Sequence, residues 1–280
     1  MIAPTLNVTV TGQGRPILLL HGIGRSLRDW DEQHALLSDR YQVWSLDLPG
    51  FGHSPPLRGR HTLDAMAEAI VDLVRAEQLP PLHVVGNSLG GGVAMQLSVI
   101  APDLVRSLVL VGSVGFGREV TPALRVLSIP GLGELLMRPS PATARRVERT
   151  LFHDGRFATP ERVDRACEMA RMQPHRSRVY LGAARSLGNA RGVKSRWRRQ
   201  LLRAMSEDAI PTLVVWGDDD RIFPPAHLQA AARSLPHART RLFPETGHLP
   251  QIERAAAFAD AVTEFWADVD VATPDHRTIG

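Results

Sequence analysis

The sequence predicts an α/β protein with a mostly parallel sheet of seven or eight strands, helices on both faces and an inserted α-helical segment. Two observations lead to this prediction. Short apolar runs alternate with segments of helical periodicity up to about residue 116, and the same alternation resumes near residue 212. The stretch between them, 117–205, has helical patterns and no convincing strand. Such alternation is typical of parallel sheets, because each crossover between parallel strands needs a helix.

The individual elements follow from apolar periodicity and from the residues that end each run. Alternating residues predict an edge strand over 7–11, and the run GQG predicts the turn after it. Short apolar runs predict strands over 17–20, 42–46, 82–85 and 108–111, and the alternation that resumes after the interruption predicts two more, over 212–216 and 239–243. The segments with helical spacing are predicted as helices: 63–79, 88–101 and 255–266.

The domain organisation follows from the interruption. We expect residues 1–116 and 206–270 to form the core domain, 117–205 to form a helical insertion, and 271–280 to form a C-terminal tail. The insertion holds most of the positive charge. Its arginines either receive an anionic substrate or cover the surface; we favour the surface, because exposed arginines are usually solvated.

Composition excludes several classes of function. The 280 residues are 44% hydrophobic and 22% charged, and the longest apolar runs fall far short of the ~20 residues of a membrane span. The N-terminus lacks the pattern of a signal peptide, and the single cysteine, Cys167, excludes an intramolecular disulfide. We therefore expect a cytoplasmic protein with no membrane partner.

The basic charge does not indicate nucleic-acid binding. The formal net charge is +4, and Lys194 is the only lysine, so arginine supplies nearly all of the positive charge. Aromatic content is 5%, and no groove-reading motif appears, whereas a nucleic-acid surface needs one or the other. We expect a small-molecule substrate and no nucleic acid. The oligomeric state stays open, with a homodimer as one alternative.

The strongest motif is the run GNSLGG at 86–91, directly after a predicted strand and directly before a predicted helix. It matches the G-x-S-x-G nucleophile elbow, in which a strained strand-to-helix turn presents the hydroxyl of the serine, here Ser88, above the sheet. The positive end of the following helix lies next to that hydroxyl. The alternative is a glycine-rich turn whose serine only caps the helix, and the other motifs favour the elbow.

A second motif, HGIG at 21–24, predicts an oxyanion hole. Acyl transfer needs two N–H donors aimed at the developing oxyanion. One donor is expected from Leu89, the residue after the nucleophile, and the other from Ile23 in the HGIG loop. His21 is expected to be structural and to fix this loop by hydrogen bonds.

Two further segments complete a Ser-His-Asp set. Three aspartates follow the strand 212–216, and we select Asp220 as the acid, with Asp218 and Asp219 as solvated loop acids. His248, in the run TGHLPQIE, is the candidate general base. The chain order Ser, Asp, His is that of the fold that carries the elbow. No histidine or cysteine cluster has zinc-ligand spacing, and we expect neither a metal nor a cofactor.

Together these motifs resemble the α/β-hydrolase superfamily over about residues 6–266. The matching segments are HGIG, the run DLPGFGHS at 47–54, the elbow, Asp220 and His248, and 117–205 corresponds to the family's helical cap. The apolar stretch 126–137 of that cap is a candidate wall for an acyl pocket. The resemblance implies an α/β-hydrolase fold and a carboxylesterase-like serine hydrolase working through an acyl-enzyme. The short N-terminus leaves little room for the first strand that many relatives carry, so seven strands are one expected count.

The resemblance leaves three functions open. The serine excludes the relatives that use an aspartate at the elbow. The elbow and the segment Ala170–Pro174 also resemble the hydrolases that cut C–C bonds in meta-cleavage products. Gly24-Arg25-Ser26 and Leu249 replace the Gly-Pro-Gly-type loop and the aromatic residue usual there, so this activity is the second choice. The third is a ligand-binding protein without turnover, because a fold alone does not prove activity.

Overall fold

The computed structural model describes residues 5–137, 140–171 and 174–272. The strands in these ranges are β1 Val8–Thr11, β2 Arg15–Leu20, β3 Tyr41–Leu46, β4 Leu82–Asn87, β5 Val105–Val111, β6 Gly188–Asn189, β7 Gly192–Val193, β8 Thr212–Gly217 and β9 Arg239–Phe243. The helices before the cap are α1 Asp31–Leu37, α2 Leu63–Ala76 and α3 Leu89–Ile100. The later helices are α4 Pro122–Leu127, α5 Leu132–Leu136, α6 Pro141–Thr150, α7 Pro160–Arg171, α8 Pro174–Leu187, α9 Ser195–Asp208, α10 Ala226–Ser234, α11 Pro250–Glu253 and α12 Ala255–Ala272.

The main sheet has seven strands in the order β1-β3-β2-β4-β5-β8-β9. β1 pairs antiparallel with β3 at one edge, and every other pair in this sheet is parallel. The carboxyl ends of β2, β4, β5, β8 and β9 therefore lie along one edge of the sheet. The predicted fold class is confirmed, with seven as the number of strands.

Both faces of the sheet are covered by helices, as the continuous apolar runs predicted. In β2, Leu18 and Leu20 belong to the core that includes α2, α3 and α9, whereas Ile17 and Leu19 belong to the core that includes α12. Successive strand residues point to opposite faces, so one short run supplies both cores. Burying both faces holds the strand ends, and the loops that follow them, in fixed positions.

The last helix is longer than predicted. The periodicity predicted an end at Trp266, but α12 continues to Ala272 because Val269, which is buried, extends the apolar stripe by one more turn. The predicted tail over 271–280 thus begins inside a helix, and its residues 273–280 lie outside the described part of the chain.

The segment predicted as a cap, 117–205, contains a short hairpin as well as helices. β6 and β7 pair antiparallel, where no strand was predicted. The hairpin depends on Gly192, which has φ +110°; a Cβ there would lie 2.2 Å from the carbonyl oxygen of Arg118. The neighbouring Val193 amide donates to that same oxygen at 2.9 Å. Strands of two residues carry too little periodicity to be predicted from sequence.

The predicted end of the cap, residue 205, falls inside α9. Leu201 and Met205 of that helix are buried in the core formed with α2 and α3. Met172 and Gln173, within the segment compared with meta-cleavage-product hydrolases, lie outside the described residues. Among the helices described, none has the length and hydropathy that crossing a bilayer requires.

Candidate active site

The elbow at Ser88 is a strained turn between β4 and α3. Ser88 has φ +56°, a conformation that is costly for a residue other than glycine. Its amide donates to the carbonyl of Val111 at 2.9 Å, which ties the turn to the neighbouring strand β5. A Cβ on Gly86 would lie 2.3 Å from the Gly90 carbonyl oxygen, and one on Gly90 would lie 2.3 Å from that of Leu20. The two outer glycines of the motif are thus required by close backbone packing.

A buried carboxylate and a buried imidazole meet at the ends of β8 and β9. Oδ2 of Asp220 lies 2.8 Å from Nδ1 of His248, and both side chains are almost fully buried. Oδ1 of Asp220 accepts the backbone N–H groups of Ile222 at 2.8 Å and Phe223 at 3.0 Å. With both oxygens engaged, the carboxylate has a fixed orientation and holds the imidazole by its Nδ1 side.

The other two aspartates of this loop have different partners. Oδ1 of Asp218 accepts the amide of Thr246 at 3.2 Å. Oδ2 of Asp219 pairs with Arg221 at 2.7 Å and with Nδ1 of His153 at 3.0 Å, at the surface. Of the three aspartates, Asp220 is the one whose carboxylate the structure places against His248.

The loop that carries His248 is tied to the elbow through backbone groups. The Asn87 side-chain amide donates to the carbonyls of Val111 and His248, at 3.1 Å each. A Cβ on Gly112 would lie 3.0 Å from Nδ1 of His248 and 3.1 Å from Oδ2 of Asp220, so the pair packs directly on the segment after β5. Asn87 was missed in the sequence, because it occupies a variable position of the elbow motif.

The HGIG loop faces the elbow. The amide of Arg25 donates to the carbonyl of Gly22 at 3.2 Å, which closes a turn containing Ile23. A Cβ on Gly22 would lie 3.2 Å from Cβ of Ser88. Leu89 is the first residue of α3, so its amide has no acceptor within the helix. Ile23, Ser88 and Leu89 all line one cavity.

His21 has the structural role expected of it. Its buried Nε2 accepts the backbone N–H of Leu48 at 2.9 Å, so Nδ1 carries the proton and donates to the carbonyl of Gly22 at 2.7 Å. Burial lowers the pKa of His21 despite the nearby charge of Asp47, which favours this neutral form. The imidazole thus fixes the HGIG loop against the loop after β3.

The cavity beside Ser88 has a volume of about 480 Å³, including the part open to solvent, and it is lined by residues of the predicted core and of the segment 117–205. Its wall is apolar: among the described residues that line it none is charged, and Ser88 and Asn189 supply the polar side chains. The site therefore suits an uncharged, apolar group next to the serine hydroxyl.

The segment predicted as a cap, 117–205, lines this cavity with other residues than expected. Val120, Leu124 and residues of 184–193 contribute to the lining. The expected wall, 126–137, is not part of the lining, and Leu135 and Leu136 of that stretch are exposed instead. Helix α5 turns its leucines outward because it packs on α4 and α8 through Gly133, where a Cβ would lie 2.3 Å from the carbonyl oxygen of Leu127.

Comparisons with known proteins agree with this architecture. A family model described as the alpha/beta hydrolase fold matches residues 15–255. The 2-hydroxymuconate semialdehyde hydrolase of a Pseudomonas species is 29% identical over 95% of this chain and 92% of its own length. A thermophilic esterase from Thermogutta terrifontis, solved with malate bound, has a TM-score of 0.75 at 29% identity, covering 94% of this chain and 93% of its own. A 2-hydroxy-6-oxo-6-phenylhexa-2,4-dienoate hydrolase from a Rhodococcus species has a TM-score of 0.79 at 25% identity, covering 94% of each chain.

Proposed function

Because this enzyme belongs to the α/β-hydrolase fold family, we propose that it is a serine hydrolase that cleaves carboxylic esters of small, largely apolar substrates. The observation that carries the proposal is the buried Asp220–His248 pair, at the same sheet edge as the strained Ser88 and beside an apolar cavity. Burying a carboxylate costs free energy even when two amides and an imidazole contact it. Such buried titratable groups are found preferentially at functional sites.

In the proposed mechanism, each residue of the site acts through an identified atom. Asp220 accepts a hydrogen bond from the Nδ1–H group of His248, which leaves Nε2 as the base for the hydroxyl of Ser88. As Ser88 Oγ attacks the ester carbonyl, Nε2 takes its proton, and the amides of Ile23 and Leu89 stabilise the oxyanion. The imidazolium then protonates the leaving alcohol. Water, deprotonated by the same histidine, hydrolyses the acyl-enzyme and restores Ser88.

The apolar wall favours ester hydrolysis over the second candidate, C–C bond hydrolysis. The dienoate substrates named for the relatives carry a carboxylate, and a carboxylate is costly to bury without a paired charge. The described lining of this cavity offers no such charge. The similarity to hydrolases of that class keeps C–C cleavage as the alternative, because the same triad chemistry serves both reactions.

A substrate panel separates the candidates. We expect turnover of p-nitrophenyl esters of short and medium acyl chains, slower turnover when the acyl group bears a carboxylate, and none by Ser88→Ala. The panel is run beside a dienoate ring-fission product. Faster turnover of that product than of any ester would reject the ester assignment in favour of C–C hydrolysis, and no turnover of either would favour a binding protein.

A further inference from the structure

One stretch of the cap contacts both loops of the candidate active site. Residues 148–154, named here the clamp segment, run from the end of α6 into the turn before α7. Glu148 pairs with Arg25 of the HGIG loop. Three residues later, the carbonyl of Leu151 accepts the amide of His248 at 2.7 Å. The clamp segment thus contacts two loops, residues 21–25, named here the oxyanion loop, and residues 244–249, named here the histidine loop. Neither Glu148 nor Leu151 lines the cavity.

Arg25 transmits the position of Glu148 to the oxyanion loop. Its guanidinium donates to both oxygens of Asp29, at 2.8 and 2.7 Å, and through the remaining nitrogen to Glu148. Burial alone would lower the pKa of Arg25, but the charges of Asp29 and Glu148 outweigh it and raise that pKa. The Arg25 amide closes the turn that contains Ile23, so a shift of this side chain moves the proposed oxyanion donor.

Burying Glu148 at the contact between the cap and the core costs free energy. It is 1% exposed, and its Oε1 is buried with no hydrogen-bond partner among the described residues. Burial raises the pKa of Glu148 against the opposing charge of Arg25. A buried ion pair with an unsatisfied oxygen contributes little net stability compared with apolar packing. Cap attachment alone therefore does not account for a carboxylate here.

The histidine loop is held at the other end of the clamp segment. Glu253 accepts the amides of Gly247 at 2.7 Å, Asp154 at 2.7 Å and His153 at 3.1 Å. A Cβ on Gly247 would lie 2.4 Å from the carbonyl oxygen of Leu151, so the two backbones pack directly against each other. One carboxylate thereby fixes the cap backbone and the residue that precedes His248.

We propose that Glu148 is a positioning residue that sets the oxyanion loop through Arg25, while the rest of the clamp segment holds the His248 loop. Docking of the cap and assembly of both loops are then one event. The inference rests on the proposed function, because it assigns the Ile23 amide to the oxyanion.

The test compares two variants that each remove a cap–core ion pair. Glu148→Gln breaks the contact to the oxyanion loop, whereas Glu32→Gln breaks the pair that joins α1 to Arg162 of α7. Arg162 lies over the Phe152 ring of the clamp segment, but among the described residues this pair makes no hydrogen bond to Arg25 or His248. Active sites are counted with a fluorophosphonate, and ester kcat is expressed per labelled site. For Glu148→Gln we expect kcat to fall about 10- to 100-fold with KM little changed, because misplacing a donor costs less than the ~10²–10³ of removing it. Glu32→Gln should keep the wild-type kcat.

A second variant covers the case in which Glu148→Gln does not fold. Arg25→Lys keeps the charge but has no planar fork with which to reach Asp29 and Glu148 together, so the same loss of kcat is expected. If both single variants fold, the double variant should lose little more kcat than either single variant, because the two substitutions break the same chain of contacts.

Three results would overturn the positioning role: an unchanged kcat in Glu148→Gln or Arg25→Lys, an equal loss in Glu32→Gln, or strictly additive losses in the double variant. An inactive wild type would instead reject the proposed function. The two failures are therefore distinguishable.

Discussion

At Asp220 the two carboxylate oxygens have separate tasks. Oδ1 takes two backbone amides from the loop that follows it, and Oδ2 faces the imidazole of His248. The amides prevent the carboxylate from rotating, and the orientation of the carboxylate selects the imidazole tautomer. The neighbouring Asp219, by contrast, is paired with Arg221 at the surface. Adjacent residues of the same type thus differ because the loop turns one of them inward.

Asp220→Asn should reduce ester kcat by about 10⁴-fold with little change in stability, because the amide keeps the shape but favours the wrong tautomer of His248. Steady-state kinetics on a p-nitrophenyl ester measures this loss. Asp219→Asn is the matched control and should retain activity, since this side chain does not face His248 and an asparagine oxygen can still accept hydrogen bonds from Arg221 and His153. Comparable losses in the two variants would contradict the assignment of Asp220.

Residue types and motif order were sufficient to predict Ser88, Asp220 and His248 as candidates. They were not sufficient for Glu148, Arg25 or the role of Asn87. Glu148 lies 123 positions from Arg25 along the chain, and nothing in its helix marks it as buried. Such contacts depend on how the cap docks on the core, which local sequence patterns do not encode.

The geometry of the elbow depends on the close approach of α3 to the end of β2. A Cβ on Gly90 would lie 2.3 Å from the carbonyl oxygen of Leu20 and 2.6 Å from that of His21, and both of these are backbone atoms. The approach brings the start of α3, with the Leu89 amide, next to the HGIG loop. Packing of the helix and geometry of the proposed oxyanion hole are therefore inseparable at this position.

Gly90→Ala should destabilise the protein by more than the ~1–3 kcal/mol typical of overpacking, because no side chain can move aside, and kcat should fall with it. Thermal unfolding and ester kinetics are the measurements. Gly182→Ala is the control: a Cβ there meets nothing within 4 Å, and alanine in helix α8 should raise stability by about 0.5–1 kcal/mol. A Gly90→Ala variant with the stability and kcat of the wild type would show that the close approach is not required.

Elements with strong apolar periodicity were predicted well, whereas very short elements and those that depend on tertiary packing were not. Helix α2 begins at Leu63 as predicted, after a Thr62 side chain that accepts the amide of Ala65. The hairpin of β6 and β7 and the final turn of α12 were missed, because their formation depends on packing against Arg118 and against the sheet.

At the scale of the molecule, several buried histidines are held neutral by the fold. Burial lowers the pKa of His21, His34, His83 and His227, and lowers that of His83 to about 4. In the unfolded chain these groups titrate near 6.5. Below that pH the unfolded chain binds protons that the folded chain does not, so the free energy of unfolding falls as pH falls toward 4.

His83→Gln should reduce this loss of stability between pH 6.5 and 4, because it removes a group that binds a proton on unfolding throughout that range. The amide can still hydrogen-bond the hydroxyl of Ser107, which lies 2.7 Å from the imidazole. Urea unfolding at several pH values measures the slope, with exposed His237→Gln as control. An unchanged slope in His83→Gln would show that His83 is not among the groups responsible.

The sheet explains why distant motifs share one edge. Ser88, Asp220 and His248 follow β4, β8 and β9, and the consecutive parallel pairs β4–β5, β5–β8 and β8–β9 place all three loops at that edge. Alternation of strands and helices was enough to predict that shared edge. Which residues of 117–205 line the cavity could not be predicted from the sequence, because they come from 120–124 and 184–193, which lie far apart in the chain.

The most direct test of the central claim is to identify the residue that a fluorophosphonate modifies. Protein mass spectrometry should show one adduct per chain, and peptide mapping should place it on Ser88. Labelling should be slowed strongly by His248→Ala and abolished by Ser88→Ala. Modification of another residue at the same rate, or a folded wild-type protein that resists the reagent, would contradict the claim that Ser88 is an activated nucleophile.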